Sequence, residues 1–221
     1  MDPTTLIQAN LLFFLLYVIA IVITGRSHGR IRGGGWFAWA NALRGMVMFI
    51  LVVFGISLWK PVEILANTAV LIGFLSLHRA FAEVIREPRQ LWRTQISVTA
   101  ISIIAMVMIG VMHGPYRLFM SCMCLGMTVL LGITATMLLS SGEPKSPDDR
   151  RSARSFTAAL LFCYCLLNLY RIEESLRGKA EFGSPQLFRL FSIWLFVSLI
   201  INVGTAFGFV LIASEQLSRQ L

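Results

Sequence analysis

Charge is scarce in this chain. Of its 221 residues 14% are charged and 57% hydrophobic, with a mean hydropathy of +0.75. A soluble domain carries about 25% charged residues, so these proportions exclude a soluble globular fold and point to an integral membrane chain whose first partner is the lipid bilayer. Acidic residues are the scarcer kind, 11 against 19 Lys and Arg. The basic excess does not form a face: it falls in short loops between apolar stretches, a pattern of membrane topology rather than of nucleic-acid binding. Cysteine is limited to Cys122, Cys124, Cys163 and Cys165. Neither pair has a CxxC spacing, and residues two apart on a helix point to nearly opposite sides, so neither pair chelates a metal by itself. Proline is absent from the interior of every apolar stretch, and no polar stretch exceeds Ser140 to Ser155, too short for a separate soluble domain. A secretory signal peptide is also missing, because the first basic residues, Arg26, Arg30 and Arg32, follow the first apolar run instead of preceding it.

What is present is a succession of apolar runs. Seven spans fit, over roughly 4–24, 36–58, 62–85, 94–112, 116–140, 155–177 and 185–213, which predicts an all-α, polytopic bundle of seven transmembrane helices. Gly33-Gly34-Gly35, Trp59-Lys60-Pro61 and His113-Gly114-Pro115 mark tight returns between them. With the N-terminus outside, eleven basic residues fall in cytoplasmic loops and the tail and four in outer loops and span ends, which satisfies the positive-inside rule. The C-terminus is then cytoplasmic.

Polar residues within the spans fall into two layers, and intramembrane ionisable groups are functional candidates by default. Toward the cytoplasm lie Asn41 and Arg44 of the second span with His78, Arg79 and Glu83 of the third. Arg79 and Glu83 are spaced to pair on one helix, and antiparallel packing of spans two and three predicts that Arg44 finds its partners on span three. Toward the outside lie Asn10, Asn67, Asn168, Tyr170, Arg171, Glu173 and Glu174. Asn10, Asn67, Asn168, Tyr170, Arg171 and Glu174 are the candidate ligand-binding set, with Arg171 as an anion anchor; hydrogen bonding between helices is the competing reading. Met108, Met112, His113, Met120, Cys122, Met123, Cys124 and Met127 cluster around the outer turn. Such soft ligands suit Cu(I), but Met and Cys are also common packing residues, and no metal is assigned.

The last span differs from the others. It opens with Ser184 and Pro185, a helix start, stays apolar to Ala213, then turns polar without Gly or Pro, so the helix has no reason to stop at the membrane. Residues 1–213 are read as the transmembrane domain and 214–221 as the start of a cytoplasmic signalling helix. Phe207, Val210, Ser214, Leu217 and Leu221 alternate at three- and four-residue spacing, the seam of a two-stranded coiled coil. Gly204 and Gly208 form a GxxxG that permits close helix approach, to another span or to the same helix of a second copy.

The chain resembles the seven-helix membrane sensor region that precedes the GGDEF domain of many bacterial diguanylate cyclases. The likeness rests on the glycine-rich loop running into Gly35-Trp36-Phe37-Ala38-Trp39-Ala40-Asn41, on Asn67, Gly73, His78, Arg79 and Phe81 of the third span, on Pro88-Arg89, and above all on the run from Gly208 to Leu217. It implies a multi-pass protein of the bacterial inner membrane, with a periplasmic N-terminus, that pairs as a homodimer. Such a protein passes a signal from a small-molecule or lipid ligand to a cyclase beyond Leu221 and so into cyclic di-GMP signalling. No GGDEF sequence is present, so the chain itself is not expected to be an enzyme, and no cofactor is implied. A small transporter is the alternative, although no internal repeat or Pro-broken span supports it. A retinal photoreceptor is disfavoured, since Lys60, Lys145 and Lys179 all fall in loops.

Overall fold

The computed structural model describes residues 3–27, 32–54, 60–85, 90–112, 114–140, 151–177 and 185–218, and it is helical almost throughout. The helices are α1 (Pro3–Ser27), α2 (Gly34–Phe54), α3 (Lys60–Ile85), α4 (Gln90–Val111), α5 (Tyr116–Ser140), α6 (Arg151–Leu176) and α7 (Pro185–Ser218). Six of them, α2 to α7, are long and apolar enough to cross a membrane; the described apolar part of α1, Thr5–Ala20, is shorter. The architecture is that of an all-helical, multi-pass membrane bundle.

Neighbours in sequence pack together from α1 to α7, and α7 returns to α1, so the helices close a ring. α3 is the exception to ring order, touching α2, α4, α5 and α7. Its central place explains its composition. Ala66, Ala69, Leu71, Phe74, Leu77, Ala80 and Phe81 are all buried, and small side chains let four neighbours approach. α4 lies at the opposite extreme, with Ile101, Ile104, Val107, Met108 and Val111 exposed as a lipid-facing helix requires. Hereafter the first end of the bundle is the one where α1, α3, α5 and α7 begin, and the second end is where they finish.

Several boundaries differ from the sequence reading for one physical reason. Apolarity marks the hydrocarbon, whereas a helix continues through the interface for as long as its backbone bonds remain intact. α4 therefore starts at Gln90 and α6 at Arg151, each four residues before the apolar run. Lys60 and Pro61 belong to the first turn of α3, where proline lacks only a bond it would not make. Of the three consecutive glycines only Gly33 is a turn residue, at φ 75°; Gly34 and Gly35 already belong to α2. A side chain at Gly33 would also run into the backbone carbonyl of Ala80, so the loop and α3 both require glycine there.

α7 runs unbroken through Ala213 to Ser218, about 51 Å at 1.5 Å per residue. Its Gly204 and Gly208 face α6 of the same chain: a side chain at Gly204 would meet Leu160, and one at Gly208 would overlap Thr157. The GxxxG is therefore occupied within the bundle and is not open to a second copy. Phe207, Val210 and Ser214 are exposed on the opposite side. The outward stripe also reaches further back, through Ile193, Phe196, Ile200 and Val203, at the same alternating spacing. Leu217 lies within α7, and Leu221 falls outside the described residues.

Candidate functional site

The inward faces of α6 and α7 carry a column of polar side chains through an otherwise apolar interior. On α6, Thr157, Tyr164, Asn168 and Arg171 follow one stripe; on α7 the matching positions are Trp194, Ser198, Asn202 and Thr205. Intervals of three, four and seven residues keep each set on one face, so two helices in contact place the sets against each other.

The middle of the column is built around Arg44 of α2, which is 6% exposed. Its Nη1 donates to Asn202 Oδ1 at 3.0 Å, its Nη2 to Asn41 Oδ1 at 3.0 Å, and its Nε to Ala40 O at 3.3 Å. The guanidinium also lies against the rings of Phe14 (5.1 Å) and Phe74 (5.4 Å). Beyond Asn202, Nδ2 donates to Ser198 Oγ at 3.3 Å, and Ser198 shares a 2.7 Å hydrogen bond with the Tyr164 hydroxyl. No carboxylate lies within 4 Å of Arg44 among the described residues. A cation is thus held by neutral acceptors and ring faces, a solution suited to hydrocarbon because it buries one charge rather than two. Arg44 is as deeply buried as its position in the span suggests, but its polar partner comes from α7, not α3. The contribution of α3 is to make room: a side chain at Gly73 would press on Arg44 Cγ.

The other members of the expected inner network lie elsewhere. His78 faces α4 and α5, where its Nδ1 is 3.0 Å from Gln95 Nε2 and 3.1 Å from Thr134 Oγ1. Gln95 Nε2 also donates to Leu130 O at 3.3 Å, and Thr134 Oγ1 donates to the same carbonyl at 2.8 Å. Arg79 and Glu83 pair at 3.0 Å as their spacing predicts. Trp36 Nε1 donates to the same Glu83 oxygen at 3.0 Å, and Arg79 lies over Trp92. The five residues read as one network thus form three: Asn41 with Arg44, His78 with α4 and α5, and the Arg79–Glu83 brace at the second end.

At the first end the six expected ligand residues do not form one cluster: Asn168 and Arg171 share a face of α6, and Asn10 reaches the same turn of α7 from α1. The Arg171 guanidinium carbon sits 4.2 Å from the centre of the Trp194 ring. Asn10 of α1 is fully buried and donates to Leu6 O at 2.9 Å and to Leu195 O at 3.4 Å, reaching the same turn of α7. Asn168, also fully buried, donates to Tyr164 O of its own helix. Glu174 is half-buried one turn beyond Arg171. Asn67 bonds Glu63 O within its own helix, α3, and Tyr170 is exposed on the far side of α6. Glu173 pairs with Arg177 on the surface. A cavity of about 50 Å³ between α3, α4 and α5 is lined by Glu63, Ile64, Ile109, Tyr116 and Phe119, none of them in the expected set. The soft-ligand cluster is divided: Met123, Cys124 and Met127 are buried in the core, while Met108 on α4 and Met112 in the turn after it are exposed.

Sequence reasoning passed over Asn202, Ser198, Tyr164, Gln95 and Thr134. A lone amide four residues from a serine inside a 27-residue apolar run was the available signal for Asn202 and Ser198.

The column holds the inward face of α7 over several turns. Below Asn202 an aromatic cluster grips the helix again, with Phe209 stacked on Phe37 at 4.1 Å and edge-on to Phe81 at 5.6 Å. In comparisons with known proteins, no family model, no curated protein and no solved structure matches the chain.

Proposed function

We propose that this chain is a membrane-embedded input domain that passes a signal through α7 to a cytoplasmic output. The observation that carries the reading is the division of labour on α7. One face is committed to the polar column and aromatic cluster; the other is a continuous exposed stripe, and the helix is about 20 Å longer than the roughly 30 Å hydrocarbon core. Any membrane helix shows lipid an apolar stripe; what α7 adds is the extra length and a stripe spacing that continues past Ala213 into the polar segment.

On this reading all seven helices cross the bacterial inner membrane, the N-terminus is periplasmic and α7 emerges in the cytoplasm. The basic asymmetry of the loops supports that orientation. Two copies meet along Ile193, Phe196, Ile200, Val203, Phe207 and Val210, and the seam continues through Ser214 toward Leu217 and Leu221. Ser214, polar at an inward position of that seam, keeps the pairing weak enough to shift. A ligand at the first end that favours one arrangement by about 1–3 kcal/mol changes its population roughly 5- to 150-fold. The resemblance to sensor regions ahead of GGDEF domains makes a diguanylate cyclase the output this arrangement fits.

The test is disulfide cross-linking in native membranes, with the four native cysteines replaced. A cysteine at Phe207 or Val210 should give linked dimers, and one at Gly208, which faces α6, should not. Monomer at every position would remove the homodimer and favour the transporter alternative.

A further inference from the structure

The unmet hydrogen-bonding groups at the first end specify the polarity of what binds there. Asn10 Nδ2 donates to two carbonyls, Leu6 O and Leu195 O, so its amide orientation is fixed and its Oδ1 is the atom left over. That oxygen is buried and finds no hydrogen-bond partner among the described residues; the same holds for Asn168 Oδ1. Arg171 Nη1 is likewise buried without a partner, although its guanidinium is held flat on Trp194. No carboxylate lies within 4 Å of Arg171 among the described residues, Glu174 on the next turn included.

Two of these atoms share one helix face. Asn168 and Arg171 are three residues apart on the stripe of α6 that faces α7, and Trp194 and Leu195 are consecutive on α7, contacted by Arg171 and Asn10 respectively. Trp194 in turn packs against the α1 cluster that contains Leu6 and Ile7. One turn of α6 therefore carries a cationic donor and a neutral acceptor, both unsatisfied, while the Asn10 oxygen belongs to α1, which does not pack on α6. Left unmatched, such groups are destabilising, and they match a ligand of the opposite pattern. An anion alone would satisfy Arg171 and be repelled by the Asn168 amide oxygen; an amine alone would do the reverse.

We infer that the first end binds a zwitterionic group, in which an anionic oxygen meets Arg171 and an N–H donor meets Asn168 Oδ1. This rests on the reading of the bundle as a receptor and supplies the class of its ligand. Two sources carry that chemistry: a free α-amino acid, and the phosphoethanolamine headgroup of a membrane lipid.

The experiment uses the full chain in phosphatidylcholine nanodiscs, whose headgroups have no N–H. Labelled norleucine is titrated alongside hexanoate, which lacks the ammonium, and pentylamine, which lacks the carboxylate. Norleucine should bind saturably and about tenfold or more tighter than either, a difference of about 1.4 kcal/mol or more. Arg171→Gln and Asn168→Ala should each abolish that preference, and the three-ligand comparison on the unaltered chain stands even if a variant fails to fold. Phosphatidylethanolamine that displaces norleucine, or that alone protects the unaltered chain but not Arg171→Gln against heat, identifies the headgroup as the source. Hexanoate binding as tightly as norleucine overturns the inference, as does the absence of both norleucine binding and phosphatidylethanolamine protection. Binding with unpaired α7 helices would leave the site standing and remove the receptor reading; paired helices without binding would do the opposite.

Discussion

Replacing Asn202 by leucine tests whether Arg44 ties α2 to α7. Asn202 Oδ1 is the acceptor for Arg44 Nη1, and its loss leaves the buried guanidinium with Asn41 Oδ1 and Ala40 O. A hydrogen bond to a charged group is worth about 1.5–3 kcal/mol, while Ser198 keeps its bond to Tyr164. Asn202→Leu should therefore destabilise the protein by about 2–3 kcal/mol. Arg44→Met is a balance of opposing effects. It orphans two amide oxygens, at about 1–3 kcal/mol each, and loses two ring contacts. It also removes a cation whose insertion near mid-membrane is unfavourable by about 2.5–3.5 kcal/mol. The double variant has no charge to satisfy and only Asn41 Oδ1 left over, so it should be no less stable than Asn202→Leu alone. The assay is reversible unfolding by SDS titration in mixed micelles, read by helical circular dichroism. Effects that add to within about 0.5 kcal/mol would mean that Arg44 and Asn202 act independently, and the clasp would be refuted.

Two further predictions follow from the same geometry. Gly208→Val should destabilise by about 1–3 kcal/mol through overpacking against Thr157, and Thr157→Ala should recover part of the loss; failure of Thr157→Ala to help would move the contact elsewhere. Accessible-cysteine labelling in intact cells should modify a tag at the N-terminus from outside and one at Leu221 only after lysis. Labelling of both tags from the same side would make the spans even in number, with α1 not crossing.

The helices themselves were legible in the sequence because six of the apolar runs are long enough to cross a membrane and every return carries Gly, Pro or charge. The burial of Arg44 was legible too, from its depth in the span. Its partner was not: chain order offers α3 as the neighbour, whereas ring closure brings Asn202 to Arg44 from 158 residues away. The GxxxG illustrates a similar limit. Its spacing establishes that Gly204 and Gly208 share a face, but only packing shows that the face is turned toward Leu160 and Thr157. At the first end, Asn168 and Arg171 share the face of α6 that packs on α7, while Asn10 reaches the same turn of α7 from α1. Asn67 has a comparable depth on α3 but a different set of neighbours, and depth is all that hydropathy reports.

The central claim, that α7 transmits a signal by the phase of its outward stripe, is tested most directly by attaching a dimer-dependent cyclase after Leu221 and inserting one to four residues before Ser214. Each added residue turns the helix by about 100°. Output should fall with one or two insertions, which turn the seam away from its partner, and recover in part with three or four, which return it to within about 60° of its starting direction. Output indifferent to the insertions would mean that the segment beyond Ala213 is a passive tail, and the account of α7 as a signalling helix would be contradicted.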